Sequence, residues 1–235
     1  MRMKTVAVMQ PYFFPYLGYY QLVAASSAFV FLDDVTFINR GWINRNRFLV
    51  KGSAHLFTVP LRGASIHRFI NEIEVADEQN WRTHFLCLLE HSYARAPYLA
   101  ETLRLVQKIT LSSHSSISLL AEESIRAVCE YVGLETQWQN SSIYHPKNGL
   151  KGAARIIDIC RRLNATRYVN APGGKALYTD DEFNQHGIEL RFLRPTLPPY
   201  GQNTREFVEG LSIIDVLMFN PPDKVRSFME AYELE

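Results

Sequence analysis

Two uninterrupted apolar runs limit what this chain can fold into. Thr5 to Met9 (Thr-Val-Ala-Val-Met) and Ala28 to Leu32 (Ala-Phe-Val-Phe-Leu) lack the apolar/polar alternation of a sheet with one wet face. Strands covered on both faces read this way, and such strands belong to parallel sheets flanked by helices. Between them lies Gln10-Pro11-Tyr12-Phe13-Phe14-Pro15-Tyr16-Leu17, after which Gly18 opens a stretch with Tyr19, Leu22 and Val23 at helical spacing. The order is strand, loop, helix, strand. The loop therefore lies at a strand's carboxyl end, where open α/β sheets bind ligands. Its prolines can continue neither a ladder nor a helix. Its aromatics are either a ligand platform or a hydrophobic plug beneath the sheet edge.

Further along, Phe48 to Val50 and His55 to Pro60 flank Lys51-Gly52-Ser53 as a hairpin, and Phe69 to Val75 alternates like a half-buried strand. Helical patterns cover Asn80 to Ala94, Tyr98 to Leu111 and Ser116 to Tyr131, the last stopped by Gly133. Residues 79–133 thus form a helical insert or lid, expected over the functional edge. Glu135 to Gln139 reads as a strand, Ser141 to Leu150 as a loop and Lys151 to Leu163 as a helix with Ala154, Ile157 and Ile159 on its apolar face. Arg167 to Asn170 is a strand, Asp180 to His186 a helix and Gly187 to Leu193 a strand. Leu211 to Phe219 and Val225 to Tyr232 are closing helices. The expected class is α/β: one domain over 1–235, with a mostly parallel central sheet, flanking helices, an antiparallel hairpin and the helical insert.

The totals exclude some functions. With 235 residues and a formal charge of +1, the chain can bury a sizeable core and is a poor candidate for a nucleic-acid binder. Its three cysteines, Cys87, Cys129 and Cys160, sit in apolar helical patterns without a CxxC, which predicts buried, reduced thiols and a cytoplasmic location. No window approaches a membrane span, and the apolar run after Met1-Arg2-Met3-Lys4 reads as a core strand, not a leader.

Candidate site residues gather at predicted strand ends. Gln10, Tyr12 and Tyr16 follow the first strand, and Asp33 and Asp34 close the second. Those carboxylates either face a ligand or cap the next turn. The densest donor cluster is Asn39-Arg40-Gly41-Trp42-Ile43-Asn44-Arg45-Asn46-Arg47. Guanidinium forks suit phosphate or carboxylate, and tryptophan can stack a base or sugar. The competing reading is an exposed polar hairpin around a structural tryptophan. His84, Cys87 and His91 share one helix face, but a fourth metal ligand is not evident, so a core or ligand-facing histidine is the better reading. Asn170, Gly173, Gly174 and Lys175 follow another strand and offer backbone amides and a lysine to an anion, although neither Walker nor GxGxxG spacing is present.

Several of these segments together resemble the WbqC-like family: Gln10 to Tyr19, Leu32 to Phe37, Arg40 to Asn46, Ala96-Pro97-Tyr98 and Leu211 to Asn220. They cover nearly the whole chain in order. The resemblance implies a place in O-antigen or other surface-polysaccharide synthesis, and a glycine-transferase role attaching an aminoacyl group to a sugar. It brings no established catalytic residues. A fainter similarity is to nucleotidyltransferase-like α/β folds such as pantothenate synthetases. Gly18-Tyr19 stands where those carry Gly-His, and no histidine occurs in the first fifty residues, which weighs against ATP-dependent adenylation.

The expected function is acyl or aminoacyl transfer, glycyl included, to an amino sugar, nucleotide-linked, with no cofactor and no metal. The partners are small molecules: a nucleotide-linked sugar and an acyl or aminoacyl donor. Asp33, Asp34 or His84 takes the proton, Tyr12, Tyr16 and Trp42 stack the sugar or base, Arg40, Arg45 and Arg47 pair a diphosphate or carboxylate, and the Gly173-Gly174 amides with Lys175 hold an oxyanion. The alternative is a non-catalytic module of the same pathway that binds a sugar nucleotide or a partner enzyme.

Overall fold

The computed structural model describes residues 3–77 and 80–235. It opens with β1 (Thr5–Met9), α1 (Leu17–Ala24) and β2 (Ala28–Phe31), then the hairpin β3 (Arg45–Val50) and β4 (Ser53–Thr58) and the short pair β5 (Leu61–Arg62) and β6 (Glu74–Val75). Three helices follow, α2 (Trp81–Ser92), α3 (Leu99–Thr110) and α4 (Ile117–Tyr131), then β7 (Gln137–Asn140) and the single turn α5 (Ser141–Tyr144). The chain ends through α6 (Gly152–Arg162), β8 (Arg167–Asn170), α7 (Asp180–Asn184), β9 (Glu189–Pro195), α8 (Ile213–Phe219), α9 (Pro222–Met229) and β10 (Tyr232–Leu234).

The main sheet runs β10-β9-β8-β1-β2-β7. All neighbours are parallel except β10, which lies antiparallel on β9. β1 pairs with β2 on one side and β8 on the other, so the winding direction reverses between β1 and β8. That reversal point, at the strands' carboxyl ends, is where doubly wound sheets open a ligand crevice.

Period-two alternation divides the strands between two cores. Val6 and Val8 of β1 join Ala28 and Val30 of β2 on one face, beneath Ile156, Ile159 and Cys160 of α6 and Phe183 of α7. Ala7, Phe29 and Phe31 face the other way into a larger core with α1, α4, α8 and α9. The continuous apolar runs exist because both faces are covered. In α4 the stripe Ile117, Leu120, Ile125 and Val128 is wholly buried.

The aromatic loop after β1 is largely a plug. Phe13 and Phe14 are buried, and Phe14 adopts a left-handed φ of +42°. Its N–H donates to Ser124 Oγ (2.9 Å), and its carbonyl accepts from Ser212 Oγ (2.7 Å). Asn46 Nδ2 donates to the same carbonyl at 2.5 Å. The left-handed turn is thus held by three distant segments.

Several local expectations need correction. Phe69 to Val75 is a short 3-10 turn followed by two strand residues, because Ile70 N donates to Val35 O (3.0 Å) and the ladder is never extended. Ser53 starts β4, so the turn is Lys51-Gly52, both left-handed as a tight hairpin requires. Ala154 is exposed, and α6 buries Ile156 instead. Cys129 and Cys160 are buried free thiols, whereas Cys87 is exposed. Val225 to Tyr232 is helical only to Met229, and Tyr232 to Leu234 forms β10. Residue 79, the expected start of the helical block, lies outside the described residues, as do Met1 and Arg2 of the basic N-terminus.

Candidate functional site

The reversal point opens as a cleft made of two adjoining cavities, which share Leu32, Ile156 and Tyr178. The smaller, about 250 Å³, lies between Met9-Gln10 at the end of β1 and Asn170, Gly173 and Gly174 after β8. The larger, about 580 Å³, lies between Val35-Thr36 after β2, Phe69, and the segment from Lys147 to Arg155 that begins α6. Lys147, Lys151 and Arg155 are its charged lining, and no acidic side chain lines either cavity among the described residues. An open depression of about 740 Å³, lined by Lys51-Gly52, His91, Ser92, Ala94, Arg95 and residues 203–206, takes nothing from any strand end of the main sheet. The two-cavity cleft is the better candidate because topology positions ligands at this point in this architecture.

Gly174 shapes the smaller cavity. Asn170 folds back so that its Oδ1 accepts from Ala171 N (2.8 Å), and a Cβ on Gly174 would stand 2.1 Å from Asn170 Nδ2. Gly173 has open space around it. The amide of Gly174 is already spent on Ala171 O and that of Lys175 on Pro172 O, at 2.9 and 3.2 Å.

Asp33 and Asp34 stand behind the cleft wall, 3% and 8% exposed, as the anchor of the segment after β7. Asp33 Oδ1 accepts from Ser142 N at 2.9 Å, and its other oxygen accepts from Ser142 Oγ. The Ser141 hydroxyl lies between the two carboxylates, 2.9 Å from Asp33 Oδ1 and 2.5 Å from Asp34 Oδ1. Asp34 Oδ2 accepts from Arg155 Nη2 at 3.1 Å, and Arg155 Nη1 donates to Pro146 O at 3.0 Å. A neighbouring buried carboxyl, Glu122, accepts from Ser118 Oγ (2.8 Å) and Asn140 Nδ2 (2.6 Å), and burial pushes it above the usual carboxylate range. His145 is buried with Nε2 2.7 Å from Gln139 Oε1, and burial together with the Arg155 charge holds its pKa below the ordinary histidine value.

The arginine loop is internally occupied. Arg45 Nε donates to Gly41 O (2.7 Å) and its guanidinium lies 5.8 Å from the Trp42 ring, with Arg47 at 5.7 Å. Arg47 also donates to Gly210 O (3.2 Å), and Asn44 Nδ2 to Val59 O (2.8 Å). Trp42 is 39% exposed, and Asn39 and Arg40 are exposed, Arg40 at a φ of +60°.

The order of these segments along the chain is matched by comparison with known proteins. The profile of the WbqC-like protein family matches residues 10–227. The chain belongs to that family. A curated relative, the "Uncharacterized protein Rv1507c" of Mycobacterium tuberculosis (strain ATCC 25618 / H37Rv), is 30% identical over 231 residues, covering 95% of this chain and 98% of that protein. No solved structure matches.

Within this WbqC-like chain the residues singled out from sequence divide into groups. Gln10, Asn170, Gly173 and Gly174 meet in the smaller cavity. Asp34 supports the larger one through Arg155, Asp33 holds Ser141 and Ser142 beside it, and neither carboxylate lines it. Tyr16 faces Leu197, Tyr200 and Val216 away from the cleft, and Tyr12 packs on Tyr19 with ring centroids 5.5 Å apart. Lys175 turns outward to Glu235, 2.5 Å away. His84 stands exposed on α2 with Cys87 and His91, opposite the buried Trp81, Phe85 and Leu89, so it is neither a core histidine nor part of the cleft lining. Sequence reasoning gave no role to Ser141, Ser142, Lys147, Lys151, Arg155 or Tyr178. The signal for Arg155 was available, since a lone arginine among the apolar positions of a helix needs a buried carboxylate partner.

Proposed function

We propose that this chain binds a nucleotide-linked amino sugar in the cleft at the β1/β8 reversal point and transfers an acyl or aminoacyl group, glycyl in the first instance, onto its amine for surface-polysaccharide synthesis. The amine attacks the carbonyl of an activated donor, the donor's leaving group departs with the bonding pair, and the amine gives up one proton. The observation that carries the reading is the cleft itself, with a cationic, acid-free wall on one side and Gln10, Asn170 and Gly173 on the other. Family membership supports the pathway. Incubation with nucleotide-linked amino sugars and activated glycine, followed by mass spectrometry, tests it: a product heavier by one glycyl group is expected, and its absence across a broad panel with folded protein defeats transfer.

A binding module of the same pathway is the second reading. It is favoured by the commitments of Asp33 and Asp34, whose oxygens are taken by Ser141, Ser142 and Arg155, because a general base needs reach to the proton it removes. Tight binding of the sugar nucleotide with no turnover supports this reading.

A further inference from the structure

We infer that the wall of the larger cavity built by Lys147, Lys151, Arg155 and the start of α6 is a diphosphate site, and that its ligand class is a nucleoside diphosphate. This deepens the reading above and rests on it for the cleft being the ligand site.

Charge comes first. The cavity is lined by three cationic side chains and no anionic one among the described residues. Asp34 offsets Arg155 from behind. Lys147 Nζ lies 3.7 Å from the centre of the Phe69 ring and forms no ion pair, and Lys151 forms neither an ion pair nor a side-chain hydrogen bond among the described residues. Two unbalanced positive charges at one cavity exceed what a single carboxylate neutralises.

The backbone adds to them. α6 begins at this wall, and no side chain caps it. Its first amides and the positive end of its dipole favour an anion. Gly149 and Gly152 hold left-handed φ values of +78° and +54°, with open space where a side chain would project.

A buried cation stands in the same wall. Arg155 is 4% exposed and lines the cavity, and while Nη1 and Nη2 are satisfied by Pro146 O and Asp34, its Nε has no acceptor. The adjoining smaller cavity, reached past Leu32, Ile156 and Tyr178, has the apolar and aromatic character suited to a nucleoside ring. The arginine loop is the weaker diphosphate candidate, since none of its residues lines either cavity of the cleft and Arg45 and Arg47 lie against the Trp42 ring.

Isothermal titration of the full chain with uridine and each common nucleoside diphosphate, at low and moderate salt, decides the matter. We expect a nucleoside diphosphate to bind, uridine alone not to bind, and the affinity to fall as salt rises. Lys151→Ala weakens binding about tenfold, the scale of one charge-assisted phosphate contact. The double variant Lys147→Glu, Lys151→Glu abolishes binding while the protein stays folded, losing only the Lys147 contact with the Phe69 ring, because Lys151 is exposed and Lys147 is half-buried. Arg45→Ala leaves binding unchanged. The inference is overturned if no nucleoside diphosphate binds, if the double glutamate variant binds normally, or if inorganic pyrophosphate competes as well as the nucleoside form. Binding as expected with no acyl transfer removes the transferase reading and keeps this site. Transfer that ignores Lys147 and Lys151 does the reverse.

Discussion

One missing carbon at Gly174 sets the width of the smaller cavity. Alanine there would drive its Cβ to 2.1 Å from Asn170 Nδ2, whereas Gly173 meets nothing within 4 Å. Gly174→Ala is therefore expected to displace Asn170 and lower ligand affinity, and Gly173→Ala to leave affinity intact, as paired titrations would read. Asp34 is a second residue of this kind. Asp34→Ala strands the buried Arg155 charge and should cost about 3–5 kcal/mol in urea denaturation. His84, exposed on α2, should tolerate alanine within about 0.5 kcal/mol and without loss of transfer. The sequence placed Asp33 and Asp34 at a strand end, and they stand just past the end of β2. It did not reveal their partners, because Ser141, Ser142 and Arg155 come from more than a hundred residues away and share no spacing with them.

Elements were legible in proportion to how far burial follows local periodicity. β1, β8 and the stripe of α4 follow it closely, since each is fully covered by the core. α5 and β10 do not. α5 is one turn held by the Asp33 carboxylate, and β10 exists because β9 offers an edge. Glu122 shows what such hidden networks do. It lies inside α4, bonded to Ser118 and to Asn140 at the end of β7, with its pKa raised by burial. The native chain keeps that proton at pH values where the unfolded chain has lost it. Stability from this group is thus full below the ordinary carboxylate range and declines as pH rises toward the raised native value. Glu122→Gln removes that decline, so the difference in urea midpoint between variant and parent should move in the variant's favour from about pH 4 to about pH 7.

At the level of the whole molecule, the sheet is closed on one side by its latest strand. Removing residues 232–235 uncovers the β9 edge and breaks the Arg194–Glu233 and Lys175–Glu235 pairs. A fall in melting temperature of about 2–4 °C for each kcal/mol lost, with increased light scattering, is the expected result. The doubly wound order could be anticipated in outline from alternating strands and helices, but which strands flank β1 depends on pairings no local pattern encodes.

That central position of β1 also dictates a timetable. Its Val6 meets Ala28 almost at once, yet its other edge waits for Tyr168, and Gln21 just beyond it waits for carbonyls at Thr196, Phe228 and Ala231. A growing polypeptide must therefore carry half of its innermost strand unzipped through most of its own synthesis, so maturation of this protein should be slow and helped by chaperones that shield a bare edge.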